Sequence, residues 1–181
     1  MQMRVAFFIV LMALAFPAAP ARAQAPAKAD PWAAYRFLIG TWTGEGQGQA
    51  GTNTGAATFK LDLDGRILVR TNRATVAATA QRPAAVHEDL VVIYREAPGQ
   101  PARAIYWDNE DHTIEYDVST SADGKTVTLV SKAAASAPRF RLVYTLLAPG
   151  SVDVKFEMAP PGSPDAFKVY TQGVMRRVSG K

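Results

Sequence analysis

The sequence predicts an all-β fold: a closed up-and-down antiparallel barrel of about ten strands with a short N-terminal helix. Three observations carry this expectation. Alternating, β-branched runs follow one another through most of the chain, with turn signals roughly every 8–12 residues. The turns are tight (Asp64-Gly65, Ala97-Pro98-Gly99, Asn109-Glu110, Asp123-Gly124, Pro149-Gly150, Pro160-Pro161-Gly162), so consecutive runs pair as hairpins. The first run, Gly40-Thr41-Trp42-Thr43-Gly44-Glu45-Gly46-Gln47-Gly48, spaces glycines by two around a single Trp. That pattern weakens an ordinary strand, but it suits one that bends sharply or lets another backbone approach at a barrel seam. A β-sandwich is the alternative. The shortage of long crossover connections and the glycine-rich first strand favour the barrel.

In chain order, Asp30-Pro31-Trp32 reads as an N-cap with Pro at the first helical position. Trp32, Tyr35, Phe37 and Leu38 follow at roughly helical spacing, predicting a turn or two of helix before Gly40. Strands are then expected near 40–48, 56–63, 66–75, 87–95, 102–108, 111–119, 125–131, 139–147, 152–159 and 167–178.

Residues 1–23 read as a secretory signal. Arg4 supplies the positive start, residues 5–16 are an unbroken apolar run, and Ala21-Arg22-Ala23 is an A-x-A cleavage site. The run is too short for a permanent membrane anchor. Residues 24–30 are expected to be a disordered leader, and 31–181 one barrel domain. The expected location is periplasmic or secreted. The chain has no Cys, so disulfides and thiolate metal sites are excluded. Its net charge of +4 includes Arg4 and Arg22; without them the balance is near +2, too even for a nucleic-acid footprint.

Residues directly opposed across an antiparallel pair share a face, so each hairpin fixes an inward set. With Asp64-Gly65 as the loop, Leu61 opposes Leu68, Phe59 opposes Arg70 and Ala57 opposes Asn72. Phe59, Leu61, Leu63 and Leu68 mark this as the core face, which turns Arg70 and Asn72 inward as well. An inward Arg needs partners for its five donors. Two readings stay open: an ion pair with Asp89 or Glu88, or an anchor for a ligand carboxylate. With Asn109-Glu110 as the next loop, Trp107 opposes His112, Ile105 opposes Ile114 and Arg103 opposes Tyr116. Ile105, Trp107, His112, Ile114 and Tyr116 are then expected inside, with Trp107 and His112 at the mouth.

The chain has two histidines, His87 and His112, and shows no H-E-x-x-H pair, nucleophile elbow, P-loop or dinucleotide fingerprint. Asp108-Asn109-Glu110-Asp111 lacks the glycine and spacing of an EF-hand loop. His87-Glu88-Asp89 opens a strand, and alternation puts His87 and Asp89 on one face. If that face is inward, they join Arg70 and Asn72 in a polar floor, where a charge-oriented imidazole is a candidate general base.

The opening Gly-x-Trp-x-Gly-x-Gly, as Gly40-Thr41-Trp42-Thr43-Gly44-Glu45-Gly46, resembles the first strand of the calycin barrels: lipocalins, fatty-acid-binding proteins and, more closely, nitrobindin-like barrels. The stretches Leu63-Asp64-Gly65-Arg66 and Tyr106-Trp107-Asp108-Asn109-Glu110 look similar to those of exported bacterial proteins of unassigned function with the same opening. The resemblance implies that Trp42 sits at the closed end under an Arg of the final strand, Arg176 or Arg177. It also implies that interior arginines hold carboxylates, as in fatty-acid carriers. Nitrobindins bind haem through a final-strand histidine, but here that strand, residues 167–177, contains none. Haem is therefore not carried over, and neither cofactor nor metal is expected.

The resulting expectation is an exported barrel binding a small, mainly apolar ligand with a polar or anionic end, in a carrier or sensor role. Its site would comprise Phe59, Leu61, Leu68, Arg70, Asn72, Ile105, Trp107, His112, Ile114 and Tyr116. The alternatives are an isomerase or hydrolase on the same barrel using His87 or His112, and a filled structural barrel without ligand.

Overall fold

The computed structural model describes residues 30–49, 51–80 and 82–178. The signal read over 1–23 and the leader up to residue 29 lie outside the described residues. Ten antiparallel strands close into one barrel: β1 (Gly40–Gly48), β2 (Asn53–Asp62), β3 (Ile67–Val76), β4 (Ala85–Tyr94), β5 (Ala102–Asp108), β6 (Thr113–Thr120), β7 (Thr126–Ser131), β8 (Arg139–Ala148), β9 (Ser151–Ala159) and β10 (Lys168–Arg177). Each strand pairs with its chain neighbour, and β1 closes the ring on β10 from Trp42↔Arg177 to Gly48↔Thr171. In place of the expected helix, a single 3₁₀ turn, Ala33–Tyr35, leads into β1. Asp30 is not its N-cap: Trp32 takes that position with no side-chain cap, while the Asp30 carboxylate accepts a hydrogen bond from the Trp32 N–H at 2.9 Å just ahead of the turn.

The seam explains the glycines. A Cβ on Gly48 would sit 2.1 Å from the Tyr170 carbonyl oxygen, and one on Gly173 would sit 2.4 Å from that of Glu45. The two strands approach too closely there for any side chain. Gly46↔Gly173 sets glycine against glycine across the seam.

The β2–β3 register is the expected one: Leu61↔Leu68, Phe59↔Arg70 and Ala57↔Asn72. The turn itself is wider, because Leu63, Asp64 and Gly65 all adopt positive φ, and Leu63 stands out in solvent. Phe59, Leu68 and Arg70 are buried, while Leu61 and Asn72 face inward half-buried.

The β5–β6 register is a correction. The ladder runs Trp107↔Thr113, Tyr106↔Ile114 and Ala104↔Tyr116, one residue away from the expected pairing. The loop holds three residues, with Asp111 left-handed at φ 66°. Asp108 fixes this turn by accepting hydrogen bonds from the Glu110 and His112 N–H groups at 2.9 and 3.0 Å. A slip of one residue exchanges the faces of a strand. Ile105 and Trp107 therefore face outward, Trp107 is 39% exposed, and Tyr106 and Asp108 turn inward in their place. Ile114 and Tyr116 face inward as expected, while His112 lies on the rim with its side chain 58% exposed.

One end of the barrel is closed. Trp32, Tyr35 and Leu38 pack beneath it, and the Trp32 indole N–H donates to the Gly65 carbonyl at 2.6 Å. Trp42 is fully buried, donates to the Leu38 carbonyl at 2.6 Å, and carries the Arg177 guanidinium 4.4 Å above its ring. Above this plug, Phe59, Leu68, Ile93, Leu129, Leu142, Tyr144 and Val152 fill the cross-section. Toward the other end, inward-facing Asn72, His87, Tyr106, Ile114, Phe140, Val154, Phe156 and Met158 are only half-buried, so that half is open to water. Outward positions carry Glu45, Lys60, Arg73, Glu88, Asp153 and Glu157. No helix among the described residues is long and apolar enough to cross a membrane.

Candidate functional site

The open half has two unlike walls. On one side, β3, β4 and β5 turn Arg70, Asn72, His87, Asp89, Tyr106 and Asp108 inward. Across the ring, β8 and β9 present Phe140, Val154, Phe156 and Met158. The Phe140 and Phe156 rings stack at 5.8 Å, and the bulge between Val169 and Thr171 brings the Tyr170 ring edge-on to Phe156 at 6.1 Å.

The polar wall begins at the filled level of the barrel, with Arg70 under the Tyr144 ring and its guanidinium carbon 6.0 Å from the ring centre. Its Nη2 meets Asp89 Oδ2 at 3.2 Å. The same oxygen accepts from Asn72 Nδ2 at 2.8 Å and lies 3.4 Å from His87 Nε2. Burial alone would favour a neutral Asp89. The charge of Arg70 outweighs it, helped by His87 and Asn72, and holds the carboxyl below the usual range. For Arg70, burial opposes the charge, but Asp89 more than compensates and its pKa is raised. Of the two readings of Arg70, the structure shows the ion pair with Asp89.

His87 stands between two carboxylates. Its contact with Asp89, and that of Nδ1 with Glu110 Oε1 at 3.0 Å, outweigh partial burial and raise its pKa to about 9. The raised pKa favours the protonated ring at neutral pH, with a proton on both nitrogens. Its Nε2–H also reaches the Tyr106 hydroxyl at 3.1 Å, and that hydroxyl donates to Asp108 Oδ2 at 2.9 Å. Burial, the Asp89 charge and this hydrogen bond all raise the Tyr106 pKa. Asp108 is 4% exposed at its side chain. Despite burial, donors from the His112 backbone and ring, Tyr106 and the Glu110 backbone pull its pKa down to about 2. His112 closes the series at the rim, Nδ1 to Asp108 Oδ2 at 2.9 Å.

Asn109 locks the rim. It donates from its backbone to Glu88 O and from Nδ2 to Val86 O, and its Oδ1 accepts from Glu88 N, at 2.9–3.1 Å. The β5–β6 turn is thereby bolted to β4, and the polar wall is held as one piece.

Four buried atoms in this neighbourhood make no hydrogen bond: Arg70 Nε, Asp89 Oδ1 and the hydroxyls of Tyr116 and Tyr144. Burial pushes the Tyr144 hydroxyl up to about 12 and raises that of Tyr116. Among the described residues, no group of three or more His, Asp or Glu is placed to hold a metal ion.

Of the residues expected at the site, Arg70, Asn72, Ile114 and Tyr116 meet inside the barrel. Phe59 and Leu68 belong to the packed floor, Leu61 lies at the closed end, Ile105 and Trp107 face outward, and His112 stands on the rim against Asp108. Tyr106, Asp108, Phe140, Tyr144 and Phe156 were not anticipated. Tyr106 and Asp108 were hidden by the slipped register, and an irregularity between Leu146 and Ala148 shifts β8 against β9 by one residue from the pairing that the Pro149-Gly150 turn alone would give.

No family model matches the chain, and no curated protein matches it. Among solved structures, the chain is similar to a de novo designed fluorescence-activating β-barrel, at 13% identity and TM-score 0.41, over 83% of this chain and 100% of that one. It is also similar to a protein of unknown function of the DUF3598 family from Nostoc punctiforme, at 9% identity and TM-score 0.31, again over 83% of this chain and 100% of that one. At these values the likeness assigns neither a ligand nor an activity.

Proposed function

We propose that the chain is an exported, calycin-like barrel protein that binds a small, mainly apolar molecule with a polar end in the open half of its barrel, as a carrier or sensor. The supporting observation is that the half-buried end of the barrel turns inward both an apolar aromatic wall (Phe140, Val154, Phe156) and a hydrogen-bonded polar wall (Asn72, His87, Asp89, Tyr106), above a packed floor. Binding cavities combine a mostly apolar lining with a few fixed polar groups in this way. Export rests on residues 1–23 and predicts a mature protein beginning at Gln24, in the periplasm or outside the cell.

The test uses protein purified from its own host's extracellular and periplasmic fractions. Native mass spectrometry is expected to show a chain shortened by the signal and a fraction carrying one small molecule. Titration of the ligand-free protein with the neutral fluorophore N-phenyl-1-naphthylamine is expected to saturate at one site. A linear, non-saturating response together with no retained mass would overturn the binding reading.

A further inference from the structure

One stretch of the outer wall does not match the rest. The outward positions of β1 and β6 are all polar, as a water-facing surface requires. On β3, β4 and β5 several outward residues are instead apolar, and the register aligns them in adjacent rows. Val69, Val92 and Ile105 form one row, and Thr71, Leu90 and Trp107 the next. Leu90 and Trp107 are 36% and 39% exposed. Contiguous apolar faces are uncommon on monomeric proteins, and where they occur they mark a contact surface.

The face has a shape of its own. Beside Leu90 the wall holds a hollow of about 530 Å³, lined by the short outward side chains of Ala56, Thr58 and Thr71 and bounded by Trp107. A knob and a hollow thus stand in one row, on either side of Leu90. A two-fold axis along β4 sets two copies face to face, with each β5 residue over the β3 residue of its row and each β6 residue over that of β2. Trp107 then enters the partner's hollow over Thr71, Leu90 meets Leu90, and Ile105 covers Val69. At the edge of the apolar rows Glu115 of one copy meets Lys60 of the other, and symmetry makes that contact twice. The axis also brings acids together at the two ends, Glu88 with its own copy and Asp62 with Asp117. Each has a cation alongside: Arg73 bridges Glu88, and Lys60 bridges Asp62 at 2.8 Å. With strands about 4.8 Å apart and outward residues about 6.8 Å apart along them, the face from β2 to β6 covers roughly 600 Å². Specific protein pairs of standard size begin at about that area per partner.

We infer that the outer face of β3, β4 and β5 is the interface of a two-fold homodimer, in which Trp107 of each copy fills the hollow of the other. The occupant is a second copy because this one face carries both the knob and the hollow that receives it, and both Lys60 and the Glu115 that it meets. The interior of the barrel takes no part, so the dimer stands or falls independently of ligand binding.

Sedimentation equilibrium of the full mature chain, from about 1 to about 200 µM, is expected to show monomer passing into dimer, since interfaces of this size bind at micromolar or tighter. Trp107→Ala should weaken the dimer at least about tenfold, because a large aromatic inside an interface carries much of its affinity. Lys60→Glu sets acid against acid and should weaken it severalfold, and adding Glu115→Lys in the same chain should restore it. That rescue is specific to an axis along β4. The chain has no Cys, so Leu90→Cys gives one thiol per copy. A short bismaleimide should join Leu90→Cys into a covalent dimer and leave Thr43→Cys, on the outer face of β1, monomeric. Melts that coincide with the parent's show that each variant is folded, and if Trp107→Ala fails to fold, the charge exchange and the cross-link decide. A parent that stays monomeric throughout would overturn the inference, as would a dimer indifferent to Trp107→Ala and Lys60→Glu. So would a monomer that retains a different protein or a lipid on the Trp107 face, since the occupant would then not be a second copy.

Discussion

Arg70 and Asp89 are the two residues on which the polar wall depends, and each is acceptable inside the barrel only because of the other. Their side chains are 10% and 3% exposed. Removing one partner of such a pair leaves a charge that neither water nor protein can satisfy. Arg70→Met is therefore expected to destabilise the fold by about 3–5 kcal/mol in urea melts, although Met occupies a similar volume. Pairing it with Asp89→Leu should recover most of the loss, because two apolar groups replace a pair whose desolvation roughly offsets its attraction. If Arg70→Met melts like the parent, Arg70 does not sit against Asp89. His87 adds a pH dependence. Asp89 and Glu110 face it directly, and Tyr106, itself bonded to Asp108, closes the remaining side. Its pKa is raised from the ordinary 6.5 to about 9, so the folded state holds the proton more tightly than the unfolded chain. The stabilisation is fully present below pH 6.5 and is lost as the pH rises through about 9. Its size is at most about 3 kcal/mol, reduced by the ring's partial exposure. Melting temperature should fall across that window in the parent and stay flatter in His87→Gln. Identical profiles would show that the ring is not held charged.

At the scale of elements, legibility depended on how different the two faces of a hairpin were. The strands around Asp64-Gly65 set Phe59, Leu61 and Leu68 against Thr58, Lys60 and Asp62, so the hydrophobic pattern selects one face and Arg70 and Asn72 go with it. The strands around Asn109-Glu110 carry an aromatic on both faces, Trp107 on one and Tyr106 on the other. There the pattern could not choose, and the outcome hung on whether the loop holds two residues or three. Asp108 decides it through two short-range hydrogen bonds to the turn, with Asp111 taking the left-handed position that a glycine would have advertised. The glycine run of β1 announced a close approach, but its partner, Gly173 on β10, becomes meaningful only once the ring is closed. Contacts across the barrel, such as Tyr144 against Phe59 at 5.5 Å and Arg70 beneath Tyr144, depend on strand stagger. Hairpin rules fix only neighbouring strands, which is why the far wall of the site was missed. Arg95 over Trp32 at 4.8 Å was missed for the same reason, since loop and lead-in meet only at the closed end.

For the whole molecule, the organising asymmetry is one sealed end and one open end, and the seal is made by the first and last segments of the barrel domain together. Arg177, at the end of β10, lies over the Trp42 ring, donates from Nη2 to the Phe37 carbonyl at 2.9 Å and from Nη1 to that of Ile39. It thus ties the lead-in, β1 and β10 into one knot, as the resemblance to calycin barrels implied for an Arg of the final strand. Trp42→Ala removes the ring on which the knot is built and leaves the Leu38 carbonyl without its donor, so it should cost about 3–5 kcal/mol. Arg177→Ala keeps the ring but releases two carbonyls and the cation–π contact, and should cost about 1–3 kcal/mol. Arg177→Lys should recover little, because a single ammonium cannot reproduce the fork that reaches both carbonyls while lying flat on an indole. Arg176 pairs with Thr43 on the outward side of the same seam, so Arg176→Ala should be nearly silent and serves as the control. Chemical melts order the four variants. Binding of the neutral fluorophore, measured well below each melting temperature, should persist in all of them, because the open half takes none of its walls from this plug. A Trp42→Ala protein as stable as the parent, or one that stays folded yet loses the fluorophore, would mean that the sealed end and the open end are not separate parts of the molecule.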